Sequence, residues 1–376
     1  MNTLTLIGLS FILGGAICGG SFGLPSKFAR KETPWEVLWG VFFFIATIVI
    51  PVLVFPLIVD GLWGTCGKAS FSALAGPVIF GFLWGLGSMS LGMSFSFIGL
   101  SLAYAINYGA QITFGYLIPM SLHNPQDLLT SEGIIILFGI MICLAGVVVT
   151  GLAGVMRNRT QQAAAAVDAA KPAAPAQIGK GLLFAFISGF LCACYAVAFS
   201  YGDSVMKLSQ EGYGNPAWRS TFVVTALVLW GGAVSSCLYC VFKLIKNGTW
   251  KQLFCMNIMG RVVFIALIMA VLHDSAILLW GLGASKLGPL GVAVGYAIFM
   301  SFAIIVGNVN GFLTKEWVGA CRKSIVLMLA GIFILIAGVC TMSYGNAAKL
   351  DNQEAAAKPS SSQAPAAPAP DSRKPN

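Results

Sequence analysis

The sequence predicts an all-α integral membrane protein with ten transmembrane helices, arranged as two inverted five-helix repeats. Three observations lead there. Apolar residues make up 57% of the 376-residue chain and charged residues only 9%, against about a quarter charged in a soluble globular protein. The apolar residues are gathered into stretches of about 20, the length that crosses a bilayer core as a helix. The two shortest connections, near Ile98–Gly99 and Lys286–Pro289, fall at corresponding places in the two halves. With five spans in each half, the second half enters the membrane inverted, a common plan for secondary transporters.

Taken in order, the spans are expected at 3–22, 36–59, 73–96, 99–120, 133–154, 179–201, 219–243, 259–283, 289–311 and 323–344. The first lacks the positively charged leading segment of a secretory signal, so it reads as a spanning helix. Pro51 and Pro56 are expected to bend the second span and Pro77 the third, because proline removes an amide donor and crowds the preceding turn. Gly15 with Gly19, Gly81 with Gly85 and Ser88 with Gly92 follow the small-xxx-small pattern that lets helices approach closely. The organisation is a first repeat at 1–155, a flexible cytoplasmic linker at 156–178, a second repeat at 179–345 and a disordered tail at 346–376. Gln161–Gln177 and the tail are rich in Ala, Pro and small polar residues, and hold too few large apolar side chains to offset ordering entropy.

The formal net charge of +9 would suggest nucleic acid in a soluble protein. Here the basic residues punctuate apolar runs. Lys27, Arg30 and Lys31; Arg157, Arg159, Lys171 and Lys180; Lys243, Lys246, Lys251 and Arg261; and Lys315, Arg322 and Lys323 all fall on one side. The other side holds only Lys68, Lys207, Arg219 and Lys286. The positive-inside rule then puts the first group in the cytoplasm and both termini outside, in the periplasm of a bacterial inner membrane. The partners implied are membrane lipid and a small solute rather than nucleic acid, with the protein a monomer or a homodimer. Most of the ten cysteines lie in apolar runs, where a thiol packs as a small hydrophobe. Cys237 and Cys240 have no second pair or histidine cluster to complete a metal site. Only Cys66 falls in an external loop, so no external disulfide is expected. The chain carries no G-x-x-x-x-G-K-[ST] phosphate loop and no nucleophile–base arrangement. An ATP-driven pump and an enzyme are both disfavoured, and no cofactor is expected.

The few polar groups at membrane depth carry the chemistry. His273–Asp274 lies in the middle of the eighth span, where an ionisable group is costly and faces a cavity or a partner. The functional reading is proton coupling, with Asp274 as the carrier and His273 as assistant. The alternative is a neutral Asp bonded to a neighbouring helix. Adjacent helical residues point about 100° apart, so one of the two is expected to face a cavity. Tyr104, Asn107, Tyr108 and Gln111 occupy offsets 0, 3, 4 and 7 of the fourth span, one helical face. They read as a solute site, with an interhelical hydrogen-bond seam as the alternative. Trp84, Ser88 and Tyr296 complete the candidate substrate set. Lys27 and Glu36, followed later by Lys315 and Glu316, sit among tryptophans at span ends and read as an interfacial collar or a gate.

Phe80-Gly81, Trp84-Gly85, Gly87, Leu91-Gly92 and Gly99 with Ser101 resemble the third-to-fourth span region of the L-rhamnose–proton symporters, of the drug/metabolite transporter superfamily. Pro25 with Lys27, Trp35-Glu36 with Trp39, Ser131-Glu132-Gly133, and Lys315-Glu316-Trp317 with Arg322 extend the resemblance in order across the spanning region. The resemblance implies ten helices in two inverted repeats and proton-coupled uptake of a monosaccharide, L-rhamnose or a related deoxy-sugar, with the proton as coupling ion. The Ala/Pro-rich tail and His273–Asp274 depart from the family pattern. Two other readings stand beside this one: a metabolite exporter or exchanger of the same superfamily, and a channel or membrane-embedded sensor.

Overall fold

A backbone surrounded by lipid must satisfy its own hydrogen bonds, and this chain does so with helices. The computed structural model describes residues 3–123, 125–168, 177–287 and 289–357, and among them no strand occurs. We number the long helices α1 (Thr3–Ser21), α2 (Trp35–Ile58), α3 and α4 (the arms 71–98 and 100–123 of Phe71–His123), α5 (Ser131–Asp168), α6 (Ile178–Tyr201), α7 (Ala217–Lys246), α8 (Met256–Leu287), α9 (Pro289–Leu313) and α10 (Arg322–Ala357). Among the described residues, eight helices are long and apolar enough to cross a membrane, counting Phe71–Ile118 as one, and Ile298–Leu313 is a shorter apolar helix.

The separation of α3 from α4 is made at Gly99, with φ 79° and ψ 176°. That backbone region is open essentially to glycine alone. Unbroken, the 53 residues of Phe71–His123 would run roughly 80 Å, more than twice the hydrocarbon thickness. The expected tight connection near Ile98–Gly99 therefore falls at the break. In α2 the two prolines leave their marks. A π-helical turn at Ile45–Val49 ends two residues before Pro51, and the helix is interrupted at Val54, two residues before Pro56.

The chain is helical past two expected boundaries: α5 continues to Asp168, beyond the linker start expected at 156, and α10 continues to Ala357, beyond the tail start expected at 346. The compositional argument took alanine as a sign of disorder, yet alanine is the strongest helix former. Arg157 and Gln161 pack onto the segment before α10, and Asn352 donates to Glu132 at 2.7 Å. Residues 169–176 and 358–376 of the expected linker and tail lie outside the described residues.

Helix packing is reciprocal between the halves. α1 lies against α8 and α9, while α6 lies against α3 and α4; α2 meets α8 where α7 meets α3; α5 pairs with α10. Glycines make these approaches possible. A Cβ at Gly81 would run into the Val228 backbone, one at Gly85 into Ser235, and one at Gly15 would press on the Ala276 carbonyl at 3.1 Å. Large apolar side chains such as Phe44, Leu57, Phe138, Phe264 and Phe333 stand exposed on the outside, as a lipid-facing surface requires.

Candidate functional site

A cavity of about 460 Å³ lies among α1, α3, α4, α6, α8 and α9, with Asn346 of α10 on its wall. The volume suits a small organic solute. Helical periodicity builds the wall. From α4 come Asn107, Tyr108, Gln111, Gly115 and Tyr116; from α8 come His273, Ala276, Ile277 and Trp280. Offsets of three, four and seven keep each set on one face. Of the expected substrate residues, Asn107, Tyr108, Gln111, Trp84, Ser88 and Tyr296 all line this one cavity. Tyr104 does not. Its side chain is fully buried behind the wall, stacked on Tyr108 at 5.5 Å, and its hydroxyl accepts the Gly23 N–H at 2.9 Å.

His273 faces the cavity and Asp274 stands behind it, the division that adjacent helical positions impose. The His273 Nδ1 and Asp274 Oδ1 are 2.8 Å apart, and Asp274 is 7% exposed. With Nδ1 engaged by the carboxylate, Nε2 is the ring atom left for the cavity. Phe22 and Phe42 meet the imidazole edge-on at 5.4 and 6.0 Å, and Trp84 lies across it at 5.8 Å. The cavity lining carries no Lys, Arg, Asp or Glu among the described residues. Among the described residues no group of three His, Cys, Asp or Glu is placed to hold a metal ion.

Asn107 is 1% exposed, and its orientation is fixed by a short relay. The Ser188 hydroxyl donates to the Gly87 carbonyl at 2.7 Å, so its oxygen accepts from Asn107 Nδ2, also at 2.7 Å. The chain of donors decides which end of the amide is which. Asn107 Oδ1 is thereby left without a partner among the described residues.

At the end of the helices opposite Trp280 and Tyr116, Glu316 ties several segments together. Its carboxylate accepts the N–H of Leu100 at 2.6 Å, and the N–H and hydroxyl of Ser101 at 3.2 and 3.0 Å. Lys27 Nζ lies 3.2 Å away. An anion at the first turn of α4 complements both the free amides and the helix dipole. Trp317 Nε1 donates to Ser101 Oγ at 2.8 Å, and the Arg157 guanidinium lies over the Trp317 ring while bonding the Ile98 carbonyl at 3.0 Å. The other two collar residues do not join this knot. Glu36 is buried and receives Asn247 Nδ2 and Thr249 Oγ1, each at 2.8 Å, and Lys315 is exposed in a left-handed turn with φ 61°.

Against this geometry, the sequence matches the L-rhamnose-proton symport protein family over residues 1–348. The chain belongs to that family. Membership makes it a membrane transporter of the symporter type and not an enzyme. Relatives include the L-rhamnose-proton symporter of Yersinia pestis bv. Antiqua (strain Antiqua), 25% identical over 358 residues, covering 93% of this chain and all of the relative. The L-rhamnose-proton symporter of Yersinia pseudotuberculosis serotype O:1b (strain IP 31758) is 24% identical with the same coverage.

Sequence reasoning passed over Trp280, Tyr116 and Tyr195, which also line the cavity. Trp280 was legible by the rule that found the α4 stripe, since it stands seven residues after His273 on the same helical face.

Proposed function

We propose that the protein takes up L-rhamnose, or a related deoxy-monosaccharide, together with a proton across a bacterial inner membrane. The observation that carries this reading is a family match spanning nearly all of the helical chain, joined to an aromatic-walled cavity whose titratable wall group is a histidine backed by a carboxylate. The sugar's apolar faces stack on rings such as Trp84 and Tyr296, while Asn107, Gln111 and Ser88 engage hydroxyls. His273 Nε2 takes the proton from the cavity, and Asp274 at Nδ1 orients the ring and stabilises the imidazolium. The pair loads the proton on one side and releases it on the other as the cavity alternates between sides.

The same proposal includes ten spans in two inverted repeats, as in the drug/metabolite transporter superfamily. The Gly99 break and the reciprocal packing of α1–α8 with α6–α3 support it. The Lys/Arg distribution supports an orientation with both termini external. In that orientation the Glu316–Lys27 knot is a closed cytoplasmic gate and the cavity faces outward.

The test is uptake of labelled L-rhamnose into proteoliposomes with and without an imposed pH gradient. Wild type accumulates sugar only with the gradient, and Asp274→Asn loses accumulation while keeping sugar–sugar counterflow. Uphill accumulation by Asp274→Asn would remove Asp274 from the coupling pair, and gradient-independent wild-type flux would favour a channel or exchanger.

A further inference from the structure

We infer that Gly115 of α4, with Ala196 facing it from α6, forms an apolar notch that receives the methyl group of a 6-deoxy-sugar. The notch sets the preference for that sugar over its hydroxymethyl and unsubstituted counterparts. The inference rests on the sugar reading of the same cavity and deepens it.

The first observation is the space beside Gly115. Glycine inside a helix is less stable than alanine, and close helix contact is the usual compensation. Gly109 on the same helix shows it: a Cβ there would run into Val147 at 2.6 Å and Leu335 at 2.8 Å. Gly19, also on the cavity wall, would press on Phe299, Ala276 and Tyr108 at 3.3, 3.5 and 3.6 Å. A Cβ at Gly115 would meet only the Ala196 Cβ, at 4.0 Å, among the described residues. Gly115 and Ala196 both line the cavity and both are partly exposed. The missing side chain therefore leaves room in the wall and serves no helix contact.

The second observation is what surrounds that room. Ala193, Ala196 and Phe199 follow at intervals of three on α6 and line the cavity with carbon side chains. Tyr195 beside them has its hydroxyl paired with Thr225 at 3.0 Å. The polar wall begins one helical turn away at Gln111, four residues before Gly115 on the same α4 face. That step is about 5–6 Å, which a single pyranose ring spans. A ring whose hydroxyls meet Gln111 thus carries a substituent on its far side into the notch. A methyl group there buries apolar surface, whereas a hydroxyl leaves water without gaining a partner. L-Rhamnose, L-mannose and L-lyxose share the same ring hydroxyls and differ in this one substituent, which is methyl, hydroxymethyl and hydrogen in turn.

The experiment is equilibrium binding of these three sugars to the purified, reconstituted full-length protein. Wild type is expected to bind L-rhamnose several-fold more tightly than L-lyxose, the effect of one buried methyl. Against L-mannose the preference should be on the order of ten-fold or more. Gly115→Ala fills the notch, so L-rhamnose should weaken on the order of ten-fold or more while L-lyxose binds at least as tightly as before. The thermal midpoint should not fall, because alanine favours the helix. Ala196→Val fills the notch from α6 and should reverse the preference in the same way; it supplies the comparison if Gly115→Ala does not fold. A wild-type protein that binds the three sugars alike overturns the inference and leaves the sugar reading intact. So does a Gly115→Ala protein that keeps all three affinities or weakens them equally, the latter marking Gly115 as a backbone hinge. A wild-type protein that binds no neutral monosaccharide overturns both, and that result is read before any variant is compared.

Discussion

The Glu316 carboxylate and the Lys27 ammonium are 3.2 Å apart, and the same carboxylate oxygen accepts the Leu100 N–H at 2.6 Å. One side chain between α9 and α10 thus holds both the end of α1 and the start of α4. Breaking the ion pair alone leaves the α4 amides capped.

Lys27→Met should therefore loosen one side of the knot only. Amide exchange in peptides covering 23–31 is expected to speed up several-fold, with little change over 99–104, whereas Glu316→Gln should accelerate both. Hydrogen exchange on the reconstituted protein reads this. Equal protection in all three proteins would mean that the contact does not hold the structure closed.

Gly99→Ala should be among the more damaging single-methyl changes in the chain. The φ of 79° excludes a side chain at a cost of order 1–3 kcal/mol, and the added Cβ would run into the Glu316 carboxylate. The expected outcome is a lower thermal midpoint and reduced yield. An unchanged midpoint in detergent would show that the α3–α4 break is not held by this residue.

His273→Gln should lose pH-gradient-driven accumulation and retain counterflow, because the amide hydrogen-bonds without titrating. Retained accumulation would assign the proton to a different group.

Cys321, partly exposed just before α10, offers a pH readout outside the spans. Hydrogen bonds from Thr160 first, then from Ser324, stabilise the thiolate and bring the thiol down to about 7. The thiolate is the reactive form, so alkylation should be half-maximal near pH 7 and rise above it. Thr160→Val should shift the profile to higher pH. A wild-type profile centred near the ordinary cysteine value of about 8.5 would contradict the arrangement.

Truncation after Ala357 should leave uptake unchanged, since the family similarity ends at residue 348 and the last described interhelical bond made by α10 is that from Asn352. Uptake by the truncated chain in cells, normalised to membrane content, is the measurement. A marked loss would give the last residues a role in transport.

The all-helical, membrane-crossing character was legible because lipid imposes a single rule, apolar length, on every segment that crosses it. The α4 stripe was legible for a similar reason: Asn107, Tyr108 and Gln111 recur at helical offsets, and polar groups of that kind are not left facing lipid tails. Tyr104 obeyed the same periodicity and still stands behind the wall, because periodicity gives a face and not the depth of a cavity on it. Glu316 was visible as a charge near tryptophans, but its partners at Lys27 and Leu100 are hundreds of residues away, and nothing local names them. Glu36 looked like an equivalent collar residue, and only packing reveals that Asn247 and Thr249 occupy it instead. The ends of α5 and α10 were not legible because alanine-rich composition serves both a solvated helix and a disordered segment.

The double duty of Glu316 also makes its ion pair resistant to rescue. Exchanging the charges, with Lys27→Glu and Glu316→Lys, would restore an ion pair between two ordinary partners. Here it would set an ammonium against the Leu100 and Ser101 N–H groups, at the positive end of the α4 dipole. The carboxylate is pinned by the backbone and the lysine is not, so position 27 can tolerate change where position 316 cannot. A contact of this kind leaves no trace of compensating substitutions, and a search for residues that change together would pass it by.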